Sequence, residues 1–215
     1  MVEGGKTLSD REMGSAVELT ANNGRSARLI LDATAKLLRT RGYQATTLRD
    51  IADAVGIKAG SIYHHFSGKD EIVEAVLTEG VRVVDKAVRT ALAALPDDAT
   101  AEARLQAAIT AHLTALLEHG DYTSASIKAF ATVPAPVRER SLPARREYEA
   151  IWRELVAQLE AENILPKDAP PAALRLMLLG AMNQTPDWYQ PGRLSVAELA
   201  AAFSAIVTSG RASTA

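Results

Sequence analysis

The sequence predicts an all-α protein, and three observations support that prediction. Apolar residues recur at spacings of three and four along most of the 215 residues, which is the period of an amphipathic helix. Alanine, the strongest helix former, is abundant, whereas aromatic residues make up only 5% of the chain. Glycine and proline separate the apolar stripes, and the sequence shows no strand-like alternation. About nine helices are expected.

The first helix is predicted to run from about Ser26 to Arg41, with Gly42 ending it. Residues 1–24 are polar and contain Gly4-Gly5 and Asn22-Asn23-Gly24, so they are predicted to form a flexible N-terminal arm.

The second helix has signals at both ends. Thr47 is a suitable N-cap, and Asp50 three residues later nearly completes a capping box. The apolar stripe ends at Val55, and Gly56 follows where a residue of positive φ is wanted. A short third helix then begins at Lys58, so the segment predicts a helix-turn-helix.

The third helix is predicted to run from Lys58 to the Tyr63-His64-His65 segment, with Ile62 facing inward. Gly60 and Ser61 at its start have little bulk, which lets a backbone approach base edges closely in a major groove. The alternative is a pair of packed surface helices with no ligand. We rank it lower, because ordinary surface helices rarely combine Gly-Ser with Tyr-His-His.

This segment closely resembles the N-terminal domain of TetR-type transcriptional repressors. The matching residues are Arg41-Gly42-Tyr43, Thr46-Thr47, Asp50-Ile51-Ala52, Val55-Gly56, Ile62-Tyr63-His64-His65-Phe66 and Lys69. The resemblance implies that three N-terminal helices bind operator DNA and that a helical C-terminal domain dimerises and holds a small-molecule inducer. Many relatives carry a bulkier or hydroxylic residue beside the glycine of Lys58-Ala59-Gly60-Ser61, which leaves the operator sequence open.

The predicted DNA-binding residues lie on the second and third helices and at the start of the fourth. They are Thr47, Arg49, Lys58, Ala59, Gly60, Ser61, Tyr63, His64 and Lys69. Lys69 stands beside the free N–H groups of a helix start and is expected to neutralise a DNA phosphate. Tyr63 and His64 are expected to touch phosphate as well.

Charge is distributed unevenly. The formal net charge is −2, but residues 25–70 hold eight Lys and Arg against four Asp, or +4, which leaves −6 for the rest. A nucleic-acid-binding domain joined to an acidic domain gives this asymmetry. A basic solvated face without a partner would look similar, so charge alone is weak evidence.

The remaining helices are predicted from apolar residues at helical spacing and from the glycines and prolines that separate these segments. They are predicted at about Asp70–Leu95, Thr100–Glu118, Asp121–Thr132, Pro143–Asn163, Ala169–Gln184 and Ser195–Ser209. Residues 25–70 are therefore assigned to DNA binding, residues 71–209 to ligand binding and dimerisation, and residues 210–215 to a C-terminal tail. The first of these helices joins the domains, and the resemblance implies that ligand binding tilts it like a pendulum.

The last two helices carry the predicted homodimer interface, which with a symmetry mate would form a four-helix bundle. Its residues are Leu174, Met177, Leu178, Ala181, Val196, Leu199, Phe203 and Ile206. The alternative is that these stripes only close the core of the monomer. A symmetric dimer predicts a palindromic double-stranded operator.

The ligand site has weaker signals. Arginines cluster near Tyr148 and Trp152. The i,i+4 spacing of Arg145 and Glu149 favours a solvated ion-pair face. The alternative is an anchor for an anionic ligand. Residues 178–192 add a narrower resemblance, through Leu-Leu-Gly-Ala-Met-Asn, Trp-Tyr and Pro-Gly, to TetR-type regulators of lipid and steroid breakdown. That resemblance implies an acyl-CoA thioester as inducer, although Gln184 stands where such relatives often have an aromatic residue. The predicted ligand-binding residues are Arg145, Arg146, Tyr148, Trp152, Asn183 and Trp188.

Other classes of protein have little support. The chain has no cysteine, no metal-spaced set of His and Glu, no phosphate-binding loop and no nucleophile elbow, so we expect no enzyme, metal or cofactor. A helical enzyme using His112 or His119 on a hydrophobic substrate is the distant alternative, and a TetR-type regulator that answers to drugs is the nearer one. No membrane span and no apolar signal segment are evident, so a cytoplasmic protein is expected.

Overall fold

The protein consists of helices joined by short turns. The computed structural model describes residues 8–118, 120–166 and 168–208, and within these ranges ten helices and no strand are found. They are α1 (Leu8–Arg41), α2 (Leu48–Val55), α3 (Ala59–Ile62), α4 (Lys69–Ala93), α5 (Ala101–Glu118), α6 (Asp121–Phe130), α7 (Ala135–Ala161), α8 (Pro171–Asn183), α9 (Thr185–Trp188) and α10 (Val196–Thr208). None of the described helices combines the length and apolarity needed to cross a bilayer.

The helix-turn-helix forms as the sequence predicts. The Thr47 hydroxyl accepts from the Asp50 N–H at 3.1 Å, while the Asp50 carboxylate accepts from the Thr47 N–H at 2.8 Å, which completes the capping box. Gly56 ends α2 in the left-handed region with φ of 77°. Ile51 on α2 and Ile62 on α3 are fully buried in a small core. This core fixes which residues of α3 face outward.

The larger C-terminal core lies around α5 and α7. Trp152 on α7 is fully buried and packs in one cluster with Ile109 and Leu113 of α5. The helix α4 passes from the helix-turn-helix into this core and contacts α5, α6 and α7. It therefore links the surface of α3 to the interior of the C-terminal domain.

The helix α1 begins earlier than predicted. It starts at Leu8 rather than near Ser26, so residues 8–24 of the predicted arm are helical. No proline interrupts 8–41, and Asn22-Asn23-Gly24 costs only about 1 kcal/mol or less per residue relative to alanine. Polar composition alone was therefore a poor guide to a boundary. Residues 1–7 and the predicted tail 210–215 lie outside the described residues.

Three further boundaries differ from the prediction. The helix α7 begins at Ala135 and continues through Pro143, because Val137 and Ser141 are buried and their packing outweighs the lost backbone hydrogen bond. The helix α3 ends at Ile62, so the Tyr63-His64 pair lies in the following turn. The short helix α9 adds a tenth to the nine expected, where Gln184 and Thr185 begin a new turn after α8.

Candidate DNA-binding interface and ligand cavity

The start of α3 forms an open surface. Lys58, Ala59 and Gly60 are exposed and Ser61 is half-buried, because Ile62 turns the opposite side of the helix into the core. Tyr63 follows with 61% of its surface exposed, and His64 is exposed beside it. These predicted residues thus lie together on one surface, with small side chains at its centre and polar side chains at its margin.

The predicted residues of α2 differ in their freedom to meet a ligand. Arg49 is almost fully exposed and only loosely paired with Asp53, at 4.0 Å. The Thr47 hydroxyl is engaged in the capping box with Asp50, whose carboxylate pKa is lowered by these hydrogen bonds. Arg49 can reach a phosphate freely, whereas Thr47 mainly stabilises the start of the helix.

Lys69 has a structural role that the sequence did not reveal. Its Nζ donates to the Tyr43 carbonyl at 2.7 Å and lies 3.8 Å from the centre of the Tyr43 ring, and burial lowers the pKa of Lys69. The Tyr43 hydroxyl donates to the Asp70 carboxylate at 2.6 Å, and burial together with this bond raises the pKa of Tyr43 to about 12. Tyr43 therefore fastens the start of α4 to the turn after α1.

Two contacts join α1 to α6, far away in sequence. Arg39 pairs with Asp121 at 2.7 Å, and the Tyr122 hydroxyl donates to Asp32 at 2.7 Å. Arg28 lies 4.8 Å from the centre of the Tyr122 ring and pairs with Asp32. The helix α1, which packs against α2 of the helix-turn-helix, is thus held to α6 as well as to α4.

A cavity of about 270 Å³ lies among α4, α5, α6, α7 and α8. Its apolar wall includes Val81, Val84, Leu116, Ile127 and Leu179, and its polar wall includes His112, Thr123, Ser126, Arg145, Tyr148, Glu149 and Asn183. An apolar pocket with a few converging polar groups is the usual form of a small-molecule site.

His112 is the most deeply buried titratable group of the cavity wall, with 2% of its surface exposed. Its Nδ1 lies 2.6 Å from the Tyr148 hydroxyl, and burial lowers the pKa of His112 to about 4. The Asn183 side chain opposes this effect in part, yet Nε2 makes no hydrogen bond to any described residue. His112 is therefore neutral near pH 7, and its buried Nε2 lacks a hydrogen bond in a residue that lines the cavity.

Arg145 extends from α7 toward α6 and does not form the predicted solvated ion pair with Glu149. One guanidinium nitrogen donates to the Ser126 carbonyl at 3.0 Å and to the Ser126 hydroxyl at 3.2 Å. The guanidinium also stacks on Phe130 at 3.8 Å, and burial lowers the pKa of Arg145. Glu149 pairs instead with Arg175, at 3.4 Å.

Only part of the predicted ligand set reaches the cavity. Arg145, Tyr148 and Asn183 line it. Arg146 is exposed on the outer side of α7 and Trp188 is half-exposed on α9, so neither lines this cavity. Trp152 lies behind the wall, with its ring centre 5.9 Å from that of His112. The predicted set and the cavity lining differ because helical spacing does not state which neighbouring helix a face meets. His119 lies outside the described residues.

The cavity also includes Thr123 and Ser126 of α6, which the sequence analysis did not name. Thr123 is buried, and its hydroxyl makes no hydrogen bond to the described residues. The Ser126 hydroxyl donates to the Leu77 carbonyl of α4 at 3.0 Å. A run of small polar residues after an Asp-Tyr helix start was the only available signal, and it is a common one.

The predicted dimer residues divide into two groups. Met177, Ala181 and Ile206 are exposed, with Met177 at 67%, and Leu174, Val196 and Phe203 are half-buried. Leu178 and Leu199 are instead buried in the core of the protomer, so their assignment to an outer surface was wrong. Each of these helices carries two adjacent apolar faces, and sequence spacing did not separate them.

Comparison with known proteins places both domains in one family. Residues 98–211 match the model described as "Tetracyclin repressor-like, C-terminal domain", and residues 30–76 match "Bacterial regulatory proteins, tetR family". The repressor KstR2 of Rhodococcus jostii (strain RHA1) is 48% identical over 62 residues, which are 29% of this chain and 30% of that protein. The matched part thus spans about a third or less of the curated relatives.

Solved structures extend the likeness to nearly the whole fold. The ketosteroid transcriptional regulator KstR2 of Mycobacterium tuberculosis is 26% identical, with a TM-score of 0.71, over 86% of this chain and 94% of that one. AibR, solved with isovaleryl coenzyme A and operator DNA, is 22% identical with a TM-score of 0.74, over 85% of this chain and 98% of that one. At this level of identity the likeness establishes the fold alone. With its helix-turn-helix and more than half of its length matched, this chain belongs to the TetR family of DNA-binding bacterial regulatory proteins, which are not enzymes.

Proposed function

We propose that this protein is a homodimeric, cytoplasmic transcriptional repressor that leaves a palindromic operator when a small hydrophobic or acyl-CoA-like ligand fills the cavity. The observation that carries the proposal is the course of α4. This helix begins shortly after the exposed surface of α3, and its middle lines the cavity at Gly80, Val81 and Val84. A single rigid element therefore contacts both the expected DNA-binding surface and the expected ligand site.

The surface of α3 suits a major groove. Gly60 and Ser61 let the backbone approach base edges, while Lys58, Tyr63 and His64 stand at the margin where phosphates pass. In a symmetric dimer, two such surfaces read half-sites about 34–36 Å apart, or a multiple of that spacing. A ligand that changes the spacing would release the DNA without touching it, provided that it binds the non-DNA conformation better.

A second copy of the chain is the proposed occupant of the exposed apolar face of α8 and α10. Met177 on α8 is largely exposed, and Ala181 one turn later lets a second helix come close. Packing of α8 and α10 against their symmetry mates would form a four-helix bundle. This arrangement would fix the distance between the two helix-turn-helix units.

The proposed ligand class rests on the cavity and on the relatives. The interior is rich in Val, Leu and Ile, which suits an aliphatic or alicyclic body. KstR2 carries the name of a ketosteroid regulator, and AibR shows that this fold can hold a coenzyme A thioester. A cavity of about 270 Å³ lies at the lower end for drug-sized ligands, so it would take the acyl part of a coenzyme A thioester and not the whole molecule.

Release from DNA tests this function directly. We expect a long-chain or steroid acyl-CoA to lower operator affinity about tenfold or more, a coupling of 1–3 kcal/mol being typical of allosteric proteins. Fluorescence anisotropy of a labelled operator, titrated with a panel of coenzyme A esters, measures the effect, with free coenzyme A as the control. Failure of every ester, together with release by a cationic drug, would favour the drug-responsive alternative.

Substitutions at the DNA surface should separate affinity from sequence preference. We expect Tyr63→Ala and His64→Ala to weaken binding to all DNA sequences alike, by about tenfold each, because a hydrogen bond to a charged phosphate contributes roughly 1.5–3 kcal/mol. Ser61→Ala should change the consensus selected from a random operator pool. Arg153→Ala, exposed on α7, is the control and should change neither. Unchanged affinity in the first pair, or an identical consensus in the third variant, contradicts these roles.

A charge on α8 should separate the protomers. Met177→Glu is expected to convert the dimer to a monomer in sedimentation velocity and to reduce operator affinity, because an unpaired carboxylate would be buried between subunits. Leu29→Glu alters another exposed apolar residue, on α1, and should stay dimeric. A monomeric parent protein, or a dimeric Met177→Glu variant, would reject this interface.

A further inference from the structure

We propose that the ligand of the cavity carries an anionic oxygen group, a carboxylate or a phosphate, beside its apolar body, and that this group pairs with Arg145. The inference rests on the proposed ligand-responsive function and adds the charge of the ligand to it. Two independent features of the cavity support it. One is a cation without a matching anion, and the other is a pair of buried polar atoms without partners.

Arg145 is the cation. Its hydrogen bonds go to the neutral carbonyl and hydroxyl of Ser126, and its flat side stacks on Phe130. Among the described residues it takes part in no ion pair within 4.0 Å. Glu149 in the same wall pairs with Arg175 and acts on Arg145 only from a distance. A guanidinium removed from water in this way favours a carboxylate or phosphate oxygen.

His112 and Thr123 supply the unpartnered atoms. The Tyr148 hydroxyl and His112 Nδ1 are 2.6 Å apart, and donation from the hydroxyl to Nδ1 leaves the fewest buried groups unsatisfied. That assignment puts the proton of the neutral ring on Nε2, which is then a buried donor without a partner in a residue of the cavity lining. The Thr123 hydroxyl, also buried and unpartnered, can donate as well.

Three donors belong to the cavity lining, namely Arg145, His112 Nε2–H and the Thr123 hydroxyl. The carboxylate of the lining, Glu149, is already paired with Arg175, and Asn183 can donate or accept. Buried donors left unsatisfied are costly, so a ligand with several acceptor oxygens gains the most from this site. The apolar residues of the same lining suit the hydrocarbon part of the same molecule.

The position of Arg145 also connects the ligand to α4. Arg145 donates to Ser126, and the Ser126 hydroxyl donates to the Leu77 carbonyl of α4. An anion that draws the guanidinium into the cavity removes its bonds from Ser126 at the point where α6 crosses α4. The same contact would therefore both select the ligand and alter the α4–α6 crossing.

Calorimetry on the purified full-length protein, without DNA, tests the proposal. The probes are decanoate, cyclohexanecarboxylate and 1-naphthoate, each with its neutral primary amide, and cyclohexanecarboxyl coenzyme A. We expect at least one acid or the thioester to bind, with an acid at least about tenfold tighter than its amide, the range of a charge-assisted hydrogen bond. Arg145→Met should abolish that preference, Arg145→Lys should retain part of it, and the exposed neighbour Arg146→Met should leave it unchanged.

The probes that bind show which group of the ligand carries the negative charge. Acid selectivity lost in Arg145→Met identifies a carboxylate ligand, and binding of the thioester alone, lost in the same variant, identifies the phosphates as the source of charge. Equal affinity for acid and amide, full binding by Arg145→Met, or no binding of any probe overturns the proposal. If Arg145→Met melts at a lower temperature, the pairing is tested instead by comparing the affinities for acid and amide in the parent and Arg145→Lys proteins. Acid binding without operator binding would reject only the proposed function.

Discussion

Gly80→Ala is expected to lower the free energy of unfolding by about 2–3 kcal/mol, the upper part of the range for overpacking a core. Gly80 lies where α4 crosses α6, and an added Cβ would come within 2.7 Å of the Ser126 Cβ and closer still to the Tyr122 carbonyl oxygen. Both neighbours belong to α6, and backbone atoms cannot turn aside as a flexible side chain can. The two helices must therefore separate.

The same separation should reach the DNA-binding surface. Tyr122 holds α1 through Asp32, so a displaced α6 shifts the helix-turn-helix and weakens operator binding. Urea unfolding and operator titration measure the two effects. Gly24→Ala, an exposed helical glycine on α1 with nothing within 4 Å of its added Cβ, is the control. It should leave stability unchanged or raise it by up to about 1 kcal/mol. Equal stabilities of the two variants would refute the close crossing.

His112→Gln is expected to remove part of the acid sensitivity of the fold. Burial lowers the pKa of His112 from 6.5 to about 4, so the folded state prefers the neutral ring. The contribution of the neutral His112 ring to the stability of the fold is complete above pH 6.5, decreases as the pH falls from 6.5 toward 4, and is lost below pH 4. Between pH 7 and pH 4.5 the linkage amounts to about 2–3 kcal/mol in favour of unfolding.

The measurement compares the free energy of unfolding of parent and variant at both pH values. The parent should lose about 2–3 kcal/mol more than His112→Gln, while carboxylate titrations affect both proteins and cancel in the difference. His64→Gln, which changes an exposed histidine, should behave like the parent. A parallel pH dependence of parent and His112→Gln would show that the ring does not remain neutral in the fold.

Local signals explain why the helix-turn-helix was predicted well. The Thr47 and Asp50 capping box and the positive φ of Gly56 depend on neighbours within a few residues, which a sequence displays directly. The burial of Ile62 could be predicted as well, because a four-residue helix with one large apolar side chain can bury little else. The start of α1 and the passage of α7 through Pro143 were missed, since packing there overrides local preference.

The residues that line the cavity coincide only in part with the predicted set, for a geometric reason. Arg145 and Arg146 are adjacent in the chain, so composition and spacing treat them alike, yet one enters the cavity and the other faces solvent. Their difference depends on Ser126 and Phe130, which lie on another helix. Lys69 shows the same limit, because its contact with Tyr43 crosses 26 positions.

The amino-acid sequence by itself determined the helical class, the caps and turn of the helix-turn-helix, and the family to which these residues point. Those properties follow from hydrogen bonds and apolar spacing within one or two helical turns. Only the tertiary structure decided that Leu178 belongs to the core while Met177 is exposed, and that His112, Thr123 and Arg145 meet in one cavity. These groups come from separate helices, and their arrangement depends on how the helices pack, which no local pattern encodes.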